Sequence, residues 1–188
     1  MTTQSGHRVH PSATNRLFAA DGPGLREHLR RHGDLVTPSA GTLVDALGVA
    51  GLRGRGGAGF PTSRKIAAVT GRKPVVIGNG AEGEPLSHKD ATLIGSSPHL
   101  VLDGLQLAAA SVGAGEVYLY LPSHLVPVAR YAIAERTTAG LDERRVNVVE
   151  APDTFIAGEE SAAVRRIEGS RALPRDRIVP TSTSGGRA

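Results

Sequence analysis

The sequence contains no cysteine in 188 residues. That excludes a disulfide, a thiolate nucleophile, cysteine-ligated zinc and an ordinary iron–sulfur cluster held by these residues. Aromatic residues make up only 3 %, and the 22 basic residues exceed the 18 acidic ones by four. With no basic run and few aromatics to stack on bases, a nucleic-acid surface is not indicated. Arg8, Arg16, Arg26, Arg30, Arg31, Arg144, Arg145, Arg165 and Arg166 are scattered, as on a solvated surface of mixed charge. Lysine is scarce: Lys65, Lys73 and Lys89 stand against 19 arginines. No apolar run approaches the roughly 20 residues that span a bilayer. Met1 to Pro11 is polar and lacks the apolar centre of a signal peptide, so a cytoplasmic protein is expected.

What is present fits one soluble domain with a real core: 39 % hydrophobic and 21 % charged residues. Residues 1–20 read as a loose tail, 21–180 as the α/β domain and 181–188 as a disordered tail of small polar residues. Helices are expected over Asp21–His32, Thr42–Ala50, Pro61–Val69, Leu100–Val112, Val126–Thr137 and Glu159–Ile167. Strands are expected at 75–77, 117–121 and 145–149. Strands separated by helical segments imply right-handed crossovers and a mainly parallel, Rossmann-like sheet, with ligands beyond the strands' carboxyl ends. His28 and His32 stand four apart, a spacing able to bind metal, but no third ligand is apparent and they read as a solvated pair.

The densest signal is Gly51-Leu52-Arg53-Gly54-Arg55-Gly56-Gly57-Ala58-Gly59-Phe60-Pro61-Thr62-Ser63-Arg64-Lys65. Glycine lets a ligand approach the main chain, and exposed amides with nearby cations cradle an anion. Gly54, Gly56 and Gly59 satisfy G-x-G-x-x-G, but the residues before them fit a short helix rather than a strand. The context of a simple dinucleotide fingerprint is therefore missing. The plain alternative is a flexible glycine hinge.

Two further loops follow expected strands: Asn79-Gly80-Ala81-Glu82-Gly83-Glu84-Pro85, and the segment ending in Gly158-Glu159-Glu160. Their carboxylates would repel phosphate and suit hydroxyl or amide donors. A ligand with a phosphate end and a polyhydroxy or heteroaromatic end matches the mixture, as in a flavin mononucleotide or a nicotinamide dinucleotide.

These segments, with Lys89-Asp90, Pro98-His99-Leu100 and Pro174-Arg175, resemble the flavin-binding domain of the 51 kDa NADH-oxidising subunit of respiratory complex I. Similar subunits occur in NAD-linked hydrogenases and formate dehydrogenases. Part of the glycine loop is also shared with a cluster-bearing membrane electron-transport protein, but Gly158-Glu159-Glu160 favours the complex I type. The resemblance spans about residues 22–180. It implies a Rossmann-like domain that binds FMN, takes hydride from NADH and passes electrons to a partner subunit. By position, Gly54, Arg55, Gly56, Gly57, Ala58 and Gly59 would form the nucleotide loop. Lys65 would reach the flavin or its phosphate, and Phe60 would stack beside the nicotinamide. Asn79, Glu82, Gly83 and Glu84 would line the flavin pocket, with Glu84 near the nicotinamide amide. Gly158, Glu159 and Glu160 would close the other side. Such hydride transfer needs stacking and positioning rather than an acid or base, and no catalytic side chain is assigned.

The departures are specific. The family's Asn-Ala-Asp-Glu is Asn79-Gly80-Ala81-Glu82 here, so one carboxylate is gone. His88, Ile66, Ala68 and Pro180 stand where aromatics are usual, Phe155 replaces a tyrosine and Arg177 a lysine. Within these 188 residues the resemblance does not extend to the family's asparagine-rich flavin segment, later domains or four cluster cysteines. The expectation is an NADH dehydrogenase-type flavoprotein fragment or subunit, with FMN and NAD(H) as cofactors and no iron–sulfur cluster in these residues. The alternative is a non-catalytic scaffold, assembly subunit or truncated remnant that no longer binds cofactor.

Overall fold

A computed structural model describes residues 16–54, 59–82, 86–152 and 160–169, with only the main chain of Glu160. The two expected tails lie largely or wholly outside this range. Three strands form a parallel sheet in the order β1 (Val75–Asn79), β2 (Glu116–Pro122) and β3 (Val146–Ala151). Cross-strand neighbours include Ile77 with Tyr118, Asn79 with Tyr120, and Tyr120 with Val149. Each strand reaches further than its apolar run, because main-chain pairing continues through Gly78, Asn79 and Glu150. The parallel α/β architecture read from the sequence is the one observed.

Seven α-helices accompany the sheet among the described residues: α1 (Leu25–His32), α2 (Ala40–Val49), α3 (Thr62–Ala67), α4 (Lys89–Ser96), α5 (Pro98–Val112), α6 (Val126–Ala139) and α7 (Glu160–Ile167). Ser39 caps α2, its Oγ accepting from the Thr42 amide at 3.3 Å. α1 begins four residues after the expected Asp21, which pairs with Arg30 instead of capping. α4 has no counterpart among the helices expected from the sequence. Its Lys-Asp-Ala-Thr-Leu-Ile-Gly-Ser string has a weak apolar stripe and an internal glycine, and what holds it is the burial of Ile94.

The two faces of the sheet differ. One presents Val76, Val117, Leu119, Leu121, Val146 and Val148, and meets Ile94, Leu102, Leu105, Ala109, Ala129 and Ala132 from α4, α5 and α6. Right-handed crossovers place both connections of a consecutive parallel order on one face. Each leucine or valine fully buried there contributes about 1.5–3 kcal/mol. The other face carries Ile77, Tyr120, Val149 and Ala151, packed with Ala81 and with Ala163 of α7.

Behind the main core lies a buried polar cluster joining α1, α5 and α6. Arg136, 1 % exposed, donates to Asp103 Oδ1 and Asp142 Oδ1, each at 2.8 Å. His28 Nε2 lies 3.0 Å from Asp103 Oδ2, and its ring centroid is 5.0 Å from His32 and 5.5 Å from His99. The expected solvated histidine pair is thus corrected for His28, which is buried against α5. Among the described residues no group of His, Asp or Glu is arranged to hold a metal.

Candidate functional site

The glycine segment is a closed loop on a helical base. α2 leads into it and α3 leaves it, so the preceding element is a helix, as expected. Residues 52–54 and 60–62 run antiparallel and clamp its neck: the Thr62 amide donates to the Leu52 carbonyl at 2.9 Å, and the Gly54 amide to the Phe60 carbonyl at 3.0 Å. Gly51 and Gly59 take φ of +61° and +51°, left-handed conformations that favour glycine at the two shoulders of the clamp. This fixed neck disfavours the simple-hinge reading. Arg55, Gly56, Gly57 and Ala58, the tip, lie outside the described residues.

Charge around this loop is one-sided. Residues 46–81 contain six basic side chains and no acidic one. Arg53, Arg64 and Lys65 are exposed, and no described carboxylate pairs with them. The Phe60 ring is 53 % exposed beside them. An exposed apolar ring with cations that no described carboxylate pairs is chemistry suited to a heteroaromatic ligand that carries phosphate.

The second group sits at the carboxyl end of β1. Asn79 is the last strand residue, and its Oδ1 accepts from the Ala81 amide at 3.1 Å. The Gly80 amide donates to the Tyr120 carbonyl at 2.9 Å, tying this turn to β2. Glu82 Oε1 accepts from Lys89 Nζ at 2.6 Å and from the Ser87 hydroxyl, and Lys89 also reaches Asp90 Oδ2 at 3.0 Å. Burial alone would raise the Glu82 carboxyl, but these hydrogen bonds outweigh it and hold the group below its ordinary value. The same contacts hold the Lys89 ammonium above its ordinary value. Sequence patterns do not single out Ser87; only its hydrogen bond to Glu82 reveals it.

Gly83 and Glu84 lie outside the described residues, as do Gly158 and Glu159 after β3. Glu160 opens α7, which packs on β3. Asn79 and Glu82 therefore share one end of the sheet. No described contact joins them to Phe60 or Lys65; the link is α5, on which α2, α3 and β1 all pack. Two grooves lie elsewhere. One of about 670 Å³ runs between α6 and the edge of β3, and one of about 630 Å³ between α1 and α6. Neither is lined by a residue of the three segments.

A parallel sheet with a clamped glycine neck and a polar turn after β1 defines an α/β domain of the nucleotide-binding kind. The chain belongs to the family described as the Nuo51 FMN-binding domain, whose model matches residues 47–185. The F subunit of NADH-quinone oxidoreductase from Escherichia coli (strain K12) is 33 % identical over 159 residues, covering 76 % of this chain and 36 % of that protein. Its counterpart from Aquifex aeolicus (strain VF5) is 33 % identical over 147 residues, covering 71 % and 34 %. A crystal structure of NAD+-reducing [NiFe]-hydrogenase in the H2-reduced state superposes with a TM-score of 0.67 at 32 % identity, covering 79 % of this chain and 27 % of the hydrogenase chain. The chain thus spans about a third of the curated relatives' length. The resemblance, the fold class and FMN as the family's cofactor agree with the reading of the sequence. Among the described residues no helix is long and apolar enough to cross a membrane.

Proposed function

We propose that this chain binds FMN between the glycine loop and the carboxyl end of the sheet, accepts hydride from NADH and delivers the electrons to a partner subunit. The family match over residues 47–185 carries the reading, because that range contains all three site segments. The loop cations, which pair with no carboxylate among the described residues, support it, since they fit a phosphate monoester. The FMN, when bound, supplies the hydride-accepting chemistry. The chain's own residues bind and orient. Gly54 to Gly59 offer main-chain amides, and Lys65 neutralises phosphate. Phe60 gives the nicotinamide a stacking face, while Asn79, Glu82 and Glu84 hold amide and hydroxyl donors. Gly158, Glu159 and Glu160 close the opposite wall. Stacking and orientation suffice for hydride transfer between two rings. With no cysteine in the sequence, the electrons go to an acceptor other than a cysteine-held cluster of these residues.

Anaerobic addition of NADH to the FMN-loaded protein tests this: the flavin absorbance bleaches. A loaded protein whose flavin stays oxidised under excess NADH overturns the hydride-transfer part. Ile66 and Ala68, where the family has aromatics, favour a second reading: a scaffold that keeps the fold without cofactor. Stable capture of a redox partner by a protein unable to take up FMN would support that reading.

A further inference from the structure

Tyr120 carries a polar atom that the fold leaves unused. The residue is fully buried at the carboxyl end of the central strand, and among the described residues its hydroxyl has no hydrogen-bond partner. Its ring packs among Ile77, Ala81, Val149, Ala151 and Ala163, aliphatic side chains that offer no acceptor. A buried hydroxyl without a partner is costly, and each such group calls for an explanation. Other buried polar groups here do not need one. Asp103 and Arg136 satisfy each other. His99 has one ring nitrogen without a partner, but with Nε2 facing Glu135 Oε2 at 3.1 Å the bare Nδ1 is only an unfilled acceptor. The tyrosine hydrogen must be donated or wasted.

Position supplies the second observation. Tyr120 and Asn79 are direct cross-strand neighbours, so their side chains lie on the same sheet face at its carboxyl end. Ligands of parallel α/β sheets sit at that end. The Tyr120 carbonyl also anchors the Gly80 amide, so the turn bearing Asn79, Ala81 and Glu82 is built directly on this residue. Ala81 of that turn belongs to the same packed cluster as Tyr120.

We propose that Tyr120 is a cofactor-positioning residue whose hydroxyl donates a hydrogen bond to an acceptor atom of bound FMN. This rests on the FMN site proposed above and adds to it a residue outside the three sequence motifs.

Two measurements on the full chain test it: FMN titration of the wild type and Tyr120→Phe, and thermal unfolding of both without FMN. The hydroxyl's loss should weaken FMN binding about tenfold, the scale of one hydrogen bond. Without FMN the variant should be as stable as the wild type or more so, because an unpaired donor has been removed. Equal FMN affinity overturns the proposal. So does a clear loss of stability in the FMN-free variant, which would show the hydroxyl serving the fold. A wild type that takes up no FMN overturns the FMN site itself, and this inference with it. If Tyr120→Phe does not fold, wild-type protein labelled with 3-fluorotyrosine gives the answer. FMN should move the fluorine resonance of Tyr120, and an unmoved resonance overturns the proposal.

Discussion

Two clusters of charge in this molecule are built on opposite plans. Around Arg136 every charge faces an opposite or neutral partner: Asp103 and Asp142 on the guanidinium, His28 on Asp103, Glu135 on His99. Around the glycine loop Arg53, Arg64 and Lys65 face no described carboxylate, across a stretch of 36 residues, 46–81, without an acid. The first plan spends its charges on the fold, tying α1, α5 and α6 together. The second leaves them without a carboxylate among the described residues. Burial follows the same division, with Arg136 at 1 % exposure and the loop cations in solvent. A charge satisfied from within stabilises structure, whereas cations at a clamped loop without a described carboxylate partner are what the proposed FMN site would use.

The largest effect should come from breaking the saturated cluster. Arg136→Met strands two carboxylates in a poorly solvated place, and breaking a buried pair this way costs about 3–5 kcal/mol. Urea unfolding should show the drop; an unchanged midpoint would mean the cluster carries little. Next comes the turn between the two plans. A Cβ at Gly80 would lie 2.7 Å from Leu121 Cδ2 and 2.9 Å from Ile94 Cδ1. Gly80→Ala should therefore cost about 1–3 kcal/mol in overpacking, again read by urea unfolding.

Mutations at the loop should invert this pattern. Lys65→Ala should leave stability within about 0.5 kcal/mol, as surface substitutions do, while weakening FMN binding several-fold. Paired unfolding and FMN titrations separate the two effects; lost stability with intact affinity would erase the contrast.

The smallest effect is a pH dependence confined to the buried cluster. Burial holds the His99 imidazole below its ordinary value, outweighing the nearby Glu135 carboxylate. The fold therefore prefers neutral His99, and stability should fall as pH drops below the unfolded histidine value of about 6.5. Burial would raise the Asp103 carboxyl, but hydrogen bonds from His28 and Arg136 hold it below its ordinary value. Its contribution is present above the unfolded carboxyl value and is lost only in stronger acid. Burial also holds the His32 imidazole below its ordinary value and adds in the same direction, so urea midpoints at pH 7.5 and 5.5 should differ in the wild type and differ less in His99→Gln.

Sequence patterns expose one of these plans better than the other. The loop, with its five glycines and its helix on the amino-terminal side, was readable because backbone chemistry is local. The three apolar runs located the strands, although pairing extended them through Gly78, Asn79 and Glu150. The saturated cluster was not readable: His28 looked solvated because its partner Asp103 is 75 positions away. α4 was missed because tertiary burial of Ile94, rather than periodicity, holds it. Tyr120 read only as a strand aromatic, since an unpaired hydroxyl becomes visible only when every neighbour is known. Of the site, Asn79 and Glu82 share one sheet end, and Phe60 and Lys65 stand by the loop. For Arg55 to Ala58, Gly83, Glu84, Gly158 and Glu159 the sequence motifs remain the basis of assignment.

The most direct test of the central claim is equilibrium titration of the purified full chain with FMN, followed by flavin absorbance and fluorescence. Saturable binding in the micromolar range or tighter, weakened by Lys65→Ala, is the predicted result. A well-folded chain that leaves FMN free in solution at those concentrations would contradict the account.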